Sequence, residues 1–397
     1  MRADQPIGRT SMKSTAFWVA AALMFAAGCG DKGAGGATKS AGGEGGAVIK
    51  LGLAGPLTGG EAKNGEDLVD GMSLAVDEWN ARGGVDGKKI EVVTRDDQAD
   101  AKLATTVAGQ LVDAGVIGVV GHFDTGLTLP ASEVYARAGV VMITPASTNE
   151  YVTDRKLPTI FRACGRDDQQ AAAAAKFVVD VLKAKKVAIF DNKTPYGKGL
   201  ADNFERDVKG KVEIAVREGF DKSERNFRQT LSRVKDADVD VWYFGGIYDQ
   251  AAPLLIQARQ LGITAPMMSG DGVHGYVDDF VKKVGQGAEG TLTTFPNTEA
   301  APGYADFMKR YKAKFPGKEA GPYVIYSYVA ASILIQGIAQ AHSTKGVDVA
   351  AAIHKGKYET PLGSMEFDEK GDVKSGQTGS YVIWNVKDGR FVLYGSK

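Results

Sequence analysis

From Val48 onward, short continuous apolar runs alternate with segments whose apolar residues recur every third or fourth position. The runs have the length and β-branched content of buried strands. The periodic segments present one apolar face, as amphipathic helices do. AVIKLGLAG is the first strand. Leu68, Met72, Ala75, Val76 and Trp79 share one helical face, and Gly83-Gly84 ends that helix. KKIEVVTRDD reads as a strand, residues 101–114 as a helix, VIGVVG as a strand, 127–138 as a helix and VVMITP as a strand. This βαβαβ series predicts a mostly parallel sheet with helices on both faces, because a crossover between parallel strands takes a helix's length of chain.

A second series follows a break at residues 164–168. It runs helix 169–184, strand KVAIFD, helix 199–208, strand KVEIAVREGF, helix 227–234, strand VDVWYFGG, helix 251–261 and strand APMMSGD. Beyond it come a strongly apolar helix, 323–341, and a hairpin of YVIWNV and RFVLY turning at Lys387-Asp388-Gly389. The fold class expected is α/β, with two doubly wound parallel-sheet lobes. A length of 397 residues agrees, being too long for one compact core.

The chain before Val48 has neither period. Lys13 opens a short basic segment, and residues 16–27 are twelve apolar residues, the length of a signal core rather than of a spanning helix. Ala26, Ala27 and Gly28 then lead to Cys29, which resembles a bacterial lipoprotein lipobox, with Ala26 where Leu is usual. Residues 1–28 are therefore expected to be a signal peptide, with 1–11 an upstream extension before a start at Met12. Cys29 would carry lipid, and the Gly-rich 29–47 would be a flexible tether. The alternative is an ordinary secretory signal with an incidental cysteine. No later apolar run reads as long enough to span a membrane.

Lys and Arg total 48 and Asp and Glu total 48, so no net charge favours nucleic acid as a partner. Two cysteines and four histidines show no metal-ligand spacing, and no cofactor motif is present. Chemistry is expected where doubly wound sheets place it, beyond the carboxyl ends of the strands. The first series carries AGPLTGG, GHFDTG and TPASTN there, rich in small hydroxyls beside helix starts. Thr125 and Thr148 could hold an anion together with helix N–H groups, or could be plain caps. The second series carries DNKTPYG, GGIYDQ and SGDGVHG, with the carboxylate of Asp271 and the rings of Tyr196 and Tyr248. One lobe suits an anion and the other a cation, a division that fits a small zwitterion. His122, His274 and Cys164 read as structural residues.

Across these loops the chain resembles the bacterial leucine/isoleucine/valine-binding protein family, the substrate-binding components of branched-chain amino-acid ABC transporters. The carriers, in order, are AGPLTG, NARGGVDGKKIEVVTRDD, VVGHFDTGLTLPASEVYARAGVVMITPAST, YGKGLADNF, FGGIYDQAAPLLIQARQLG, SGDGV, GPYVIYSYVAA and FDEKGDVK. The resemblance implies two lobes joined by three crossovers near 164–168, 293–297 and 374–380. The N-terminal lobe would be 48–164 plus 296–376, and the C-terminal lobe 165–294 plus 377–397.

Ligand roles also follow from the resemblance. Thr125 would receive the ligand carboxylate, Thr148 would share the α-carboxylate and α-amino end, and the carbonyl of Ala146 would accept from the ammonium. Asp271 would be the ammonium's acidic partner, and Tyr196 would close on it from the second lobe. Asn64, Ile247 and Tyr323 would surround the ligand side chain. Asn64 and Ile247 stand where relatives often have bulky aromatics, and Asp271 where they often have Glu. The disulfide of some members would join positions 99 and 124, which here are Ala99 and Asp124. Asp124 beside an anion site is unexplained unless it turns away or recruits a cation.

The function so implied is capture of an amino acid between two lobes and its delivery to an ABC permease, with no enzymatic step. The protein would act as a monomer in the periplasm or at the outer face of the cytoplasmic membrane, held by lipid on Cys29. A sensor or binder of amides, urea or aromatic acids on the same fold is the alternative.

Overall fold

The computed structural model describes residues 48–377 and 379–396. The signal segment, Cys29 and the tether expected in residues 1–47 lie outside the described residues.

Five parallel strands form the first sheet: β1 (Ile49–Gly55), β2 (Ile90–Asp96), β3 (Gly118–Val120), β4 (Val141–Thr144) and β5 (Ile160–Arg162), in the order β2-β1-β3-β4-β5. Their side chains divide by alternation. Leu51, Leu53 and Ile143 enter one core with α1 (Ala62–Ala81), whereas Ala54, Val119 and Met142 enter another with α2 (Ala104–Asp113) and α3 (Thr125–Ala138). Both faces are covered, which is why β1 is buried everywhere but at Lys50. The short α4 (Tyr151–Asp154) leads into β5.

A second sheet begins after α5 (Asp167–Asp180). It contains β6 (Lys186–Asp191), β7 (Glu213–Gly219), β8 (Val241–Gly245), β9 (Met267–Ser269) and β10 (Leu292–Pro296), with α6 (Pro195–Val208), α7 (Arg228–Ala237), α8 (Tyr248–Gln260) and the single turn α9 (Lys282–Val284) between them. The chain then returns to the first lobe as α10 (Tyr304–Lys314), α11 (Val324–Ala341), α12 (Gly346–Lys355) and the hairpin β11 (Tyr358–Thr360) and β12 (Gly363–Met365). It ends in the second sheet as β13 (Tyr381–Lys387), antiparallel to β10, and β14 (Arg390–Leu393). The order of the second sheet is β14-β13-β10-β9-β8-β6-β7.

The chain passes between the lobes after β5, after β10 and after β12, and the first and third of these passages are tied by ions. Arg162, wholly buried, donates from Nε and Nη2 to Asp372 Oδ1 at 2.8 and 2.6 Å. Arg166 reaches Asp372 Oδ2 at 2.7 Å. Arg162 also donates to the carbonyls of Ser147 (3.2 Å) and Asn149 (2.6 Å), so the network that joins the passages also holds the loop after β4.

Several expectations are corrected. Val324–Ala341 is apolar enough, at mean hydropathy 1.4 over 18 residues, to cross a membrane by composition, contrary to the expectation that no such run follows residue 28. It is instead a core helix, packed along α1 and over the first sheet. Two helices begin earlier than periodicity suggested. α6 starts at Pro195, where a missing N–H costs nothing, and Thr194 caps it by accepting from Gly197 N at 3.0 Å. α8 starts at Tyr248 and carries Pro253 within its second turn. α10 and α12 had no counterpart in the pattern reading, since their buried faces are only two or three residues wide.

Candidate functional site

In each sheet the winding reverses at one place, between β1 and β3 in the first and between β6 and β8 in the second. Loops leaving adjacent strands there part to opposite faces and open a crevice. The two crevices face one another, and between them lies a small cavity. Phe123, Asp124, Thr125, Ala146 and Tyr323 line it from the first lobe; Tyr196, Ile247, Asp271 and Gly272 line it from the second. It is small, with room for about one water. The lobes touch around it, through the Tyr323–Asp271 hydrogen bond among others. A larger groove, walled by residues such as Lys63, His274 and Phe391, holds none of the expected ligand residues.

The first wall is built from stitched loops. Gly121 (φ +133°) ends β3, and a Cβ there would lie 2.1 Å from Ala54 O, so only glycine lets the chain turn against β1. The next carbonyl, His122 O, accepts from Thr144 Oγ1 at 2.9 Å, while Ser147 Oγ donates to Phe123 O at 2.8 Å. The His122 ring is buried and satisfied, with Nδ1 2.7 Å from Asp97 and Nε2 3.2 Å from Tyr135. Thr125 then opens α3. Asp124 is the N-cap residue, yet its side chain makes no capping bond. Thr125 Oγ1 is buried and has no hydrogen-bond partner among the described residues, whereas Thr148 Oγ1, also buried, faces the carboxyl of Asp167. Neither is a helix cap, and a buried hydroxyl without a partner is costly in a finished core.

The second wall carries the carboxylate. Asp271 sits in a 3₁₀ turn just past β9 and is buried. Its Oδ1 accepts from Gln170 Nε2 and Tyr196 OH, each at 2.8 Å, and its Oδ2 accepts from Tyr323 OH at 2.6 Å. Tyr323 belongs to the first lobe, so this last bond joins the walls. Burial raises the pKa of Asp271, and the three donors oppose that rise. Asp167, also buried and bonded to Gln170 at 2.8 Å, is raised well above the usual range by burial and by the charge of Asp271.

Six of the eight residues expected at the ligand, Thr125, Ala146, Tyr196, Ile247, Asp271 and Tyr323, converge on this one cavity. Thr148 lies two residues from Ala146, buried, but does not join the wall. Asn64, expected around the ligand side chain, does not border this cavity; its Oδ1 accepts from Tyr276 OH, making a strut between the lobes. Tyr323 is more than an apolar neighbour, since its hydroxyl holds Asp271. Pattern reading missed Gln170, which orders Asp271, and Lys222, whose Nζ lies 3.4 Å from Asp124 Oδ2 and 2.5 Å from Glu61 Oε1. No local signal marks either. Among the described residues no cluster of His, Cys, Asp and Glu could hold a metal. Cys164 is buried, and burial pushes its thiol pKa far up.

Residues 48–389 match the family described as "Periplasmic binding protein". The "Amino acid binding protein" of Pseudomonas aeruginosa is 39% identical over 347 residues, covering 86% of this chain and 91% of that protein. The structure is similar to the leucine-binding protein LivK of Thermotoga maritima (TM-score 0.80, 29% identity, 88% of this chain and 98% of that one). It is also similar to the branched-chain amino acid transporter substrate-binding protein LivJ of Streptococcus pneumoniae, solved with isoleucine (TM-score 0.79, 27% identity, 87% and 98%). With the family match spanning most of its length and the site at the meeting of two doubly wound lobes, the chain belongs to the periplasmic binding protein family.

Proposed function

We propose that this protein is an extracytoplasmic receptor that captures a small α-amino acid between its lobes and presents it to an ABC-type importer. One observation carries the reading. A buried carboxylate and a buried, unpartnered hydroxyl at a helix N-terminus belong to opposite walls of one small cavity. Asp271 is a buried carboxylate held by three side-chain donors at the cavity wall, where its negative charge would attract a ligand ammonium. The N-terminus of α3 offers N–H groups and the Thr125 hydroxyl to a ligand carboxylate. A zwitterion touching both walls favours the state in which the lobes meet, by its differential contacts. The names of the similar proteins agree with an amino acid as the solute.

Thermal unfolding tests this with a panel of amino acids, short amides and aromatic acids. Ligand at 100 times its Kd stabilises by about 2.7 kcal/mol, so even modest binders register. Stabilisation by one or more amino acids is expected. Stabilisation by amides or aromatic acids alone would replace the reading with the alternative one. The proposal includes a lipid on Cys29 and action as a monomer at the membrane's outer face; Cys29→Ser should release the protein from membranes on fractionation, with ligand affinity unchanged.

A further inference from the structure

Asp124 sits immediately before Thr125 and borders the cavity, where its charge would repel a ligand carboxylate. The second lobe answers it. Lys222 follows β7 and crosses the cleft, placing Nζ 3.4 Å from Asp124 Oδ2, 2.5 Å from Glu61 Oε1 and 3.3 Å from the carbonyl of Ala99, all first-lobe groups. Asp249, at the start of α8, adds a third carboxylate nearby and is itself paired with Arg225 at 3.3 Å.

Resting on the amino-acid reading, we propose that Lys222 is a specificity-determining residue: its ammonium neutralises Asp124 across the cleft and so allows the N-terminus of α3 to accept an anionic group. Burial alone would favour loss of the Lys222 proton, but the charges of Asp124 and Glu61 outweigh it and keep the ammonium charged. Glu61 remains raised well above the usual carboxylate range by burial and by Asp124, with Lys222 opposing the rise only in part. The neutralisation exists only while the lobes meet, because the cation and the carboxylates are on different lobes. Rejection of an anion by the bare Asp124 is thereby relieved in the same step that closes the cleft.

The test is calorimetry on the full chain with L-alanine, L-leucine and their carboxamides, which keep the ammonium and lose the negative charge. The proteins are wild type, Lys222→Met and the triple variant Glu61→Gln/Asp124→Asn/Lys222→Met. Lys222→Met should bind the preferred amino acid at least about tenfold more weakly, while affinity for its carboxamide changes by less than about twofold. The triple variant should recover most of the lost affinity, because Asp124 and Glu61 no longer oppose the anion and Asp249 keeps its partner Arg225. An equal loss for both probes, or no recovery in the triple variant, would overturn the proposal and leave Lys222 a structural tie. Wild-type protein that binds no amino acid would overturn it together with the reading beneath it, and the wild-type titration separates the two failures.

Discussion

Replacing Asp271 by Asn keeps the size of the side chain and removes its charge. The wild-type carboxylate receives three donors: Gln170 and Tyr196 at 2.8 Å on Oδ1, and Tyr323 at 2.6 Å on Oδ2. An amide oxygen can still take two of them, but the amide nitrogen only donates and faces a donor. It offers nothing to a ligand ammonium. A hydrogen bond to a charged group contributes about 1.5–3 kcal/mol, so an α-amino acid should bind about 10- to 150-fold more weakly. The assay is calorimetry with the amino acid and with the same acid lacking its amino group. Wild type should prefer the amino acid, and Asp271→Asn should lose most of that preference. Acid should act in the same direction. The pKa of Asp271 is raised by burial, so lowering the pH neutralises it earlier than an ordinary aspartate, and amino-acid affinity should fall as it does. Unchanged affinity in a folded Asp271→Asn protein, or an equal loss for both ligands, would refute the assignment of the ammonium to this carboxylate.

Thr125→Val replaces a buried, unpartnered hydroxyl with a methyl group of the same shape. Without ligand the variant should be as stable as wild type or up to about 1–3 kcal/mol more so, while amino-acid affinity drops severalfold; unaltered affinity would remove Thr125 from the ligand. Asp67 lies buried under the first turns of α1 with Lys63 3.6 Å away, and burial pushes its pKa up to about 7 from 3.8. Folding then favours the protonated form, so its contribution is full below the unfolded value and is lost as pH rises through about 7. The amount at stake is at most about 4 kcal/mol. Asp67→Asn should therefore gain in Tm over wild type more at pH 8 than at pH 5, and a difference that does not change with pH would show that the carboxyl is not the source.

The site was legible in proportion to how local its signals are. Thr125, Tyr196 and Ile247 stand at the starts of helices that follow strands, and the alternation of periods places such starts at one end of a parallel sheet. The roles of Tyr323 and Gln170 were not legible, because their bonds to Asp271 span 52 and 101 residues of sequence. The bond of Asn64 was not legible either, since Tyr276, whose hydroxyl its Oδ1 receives, lies 212 residues away.

The sequence by itself determined the two series of strands and helices, their parallel winding and the loops at which chemistry would gather, since continuous apolar runs and a 3.6-residue apolar period are properties of neighbouring residues. The tertiary structure decided which of those loops meet, that Asp271 is held by donors from both lobes, and that Asp124 finds its cation in Lys222 on the opposite lobe. Charge pairing across a cleft depends on where two lobes come to rest, and no repeat in the chain encodes that distance.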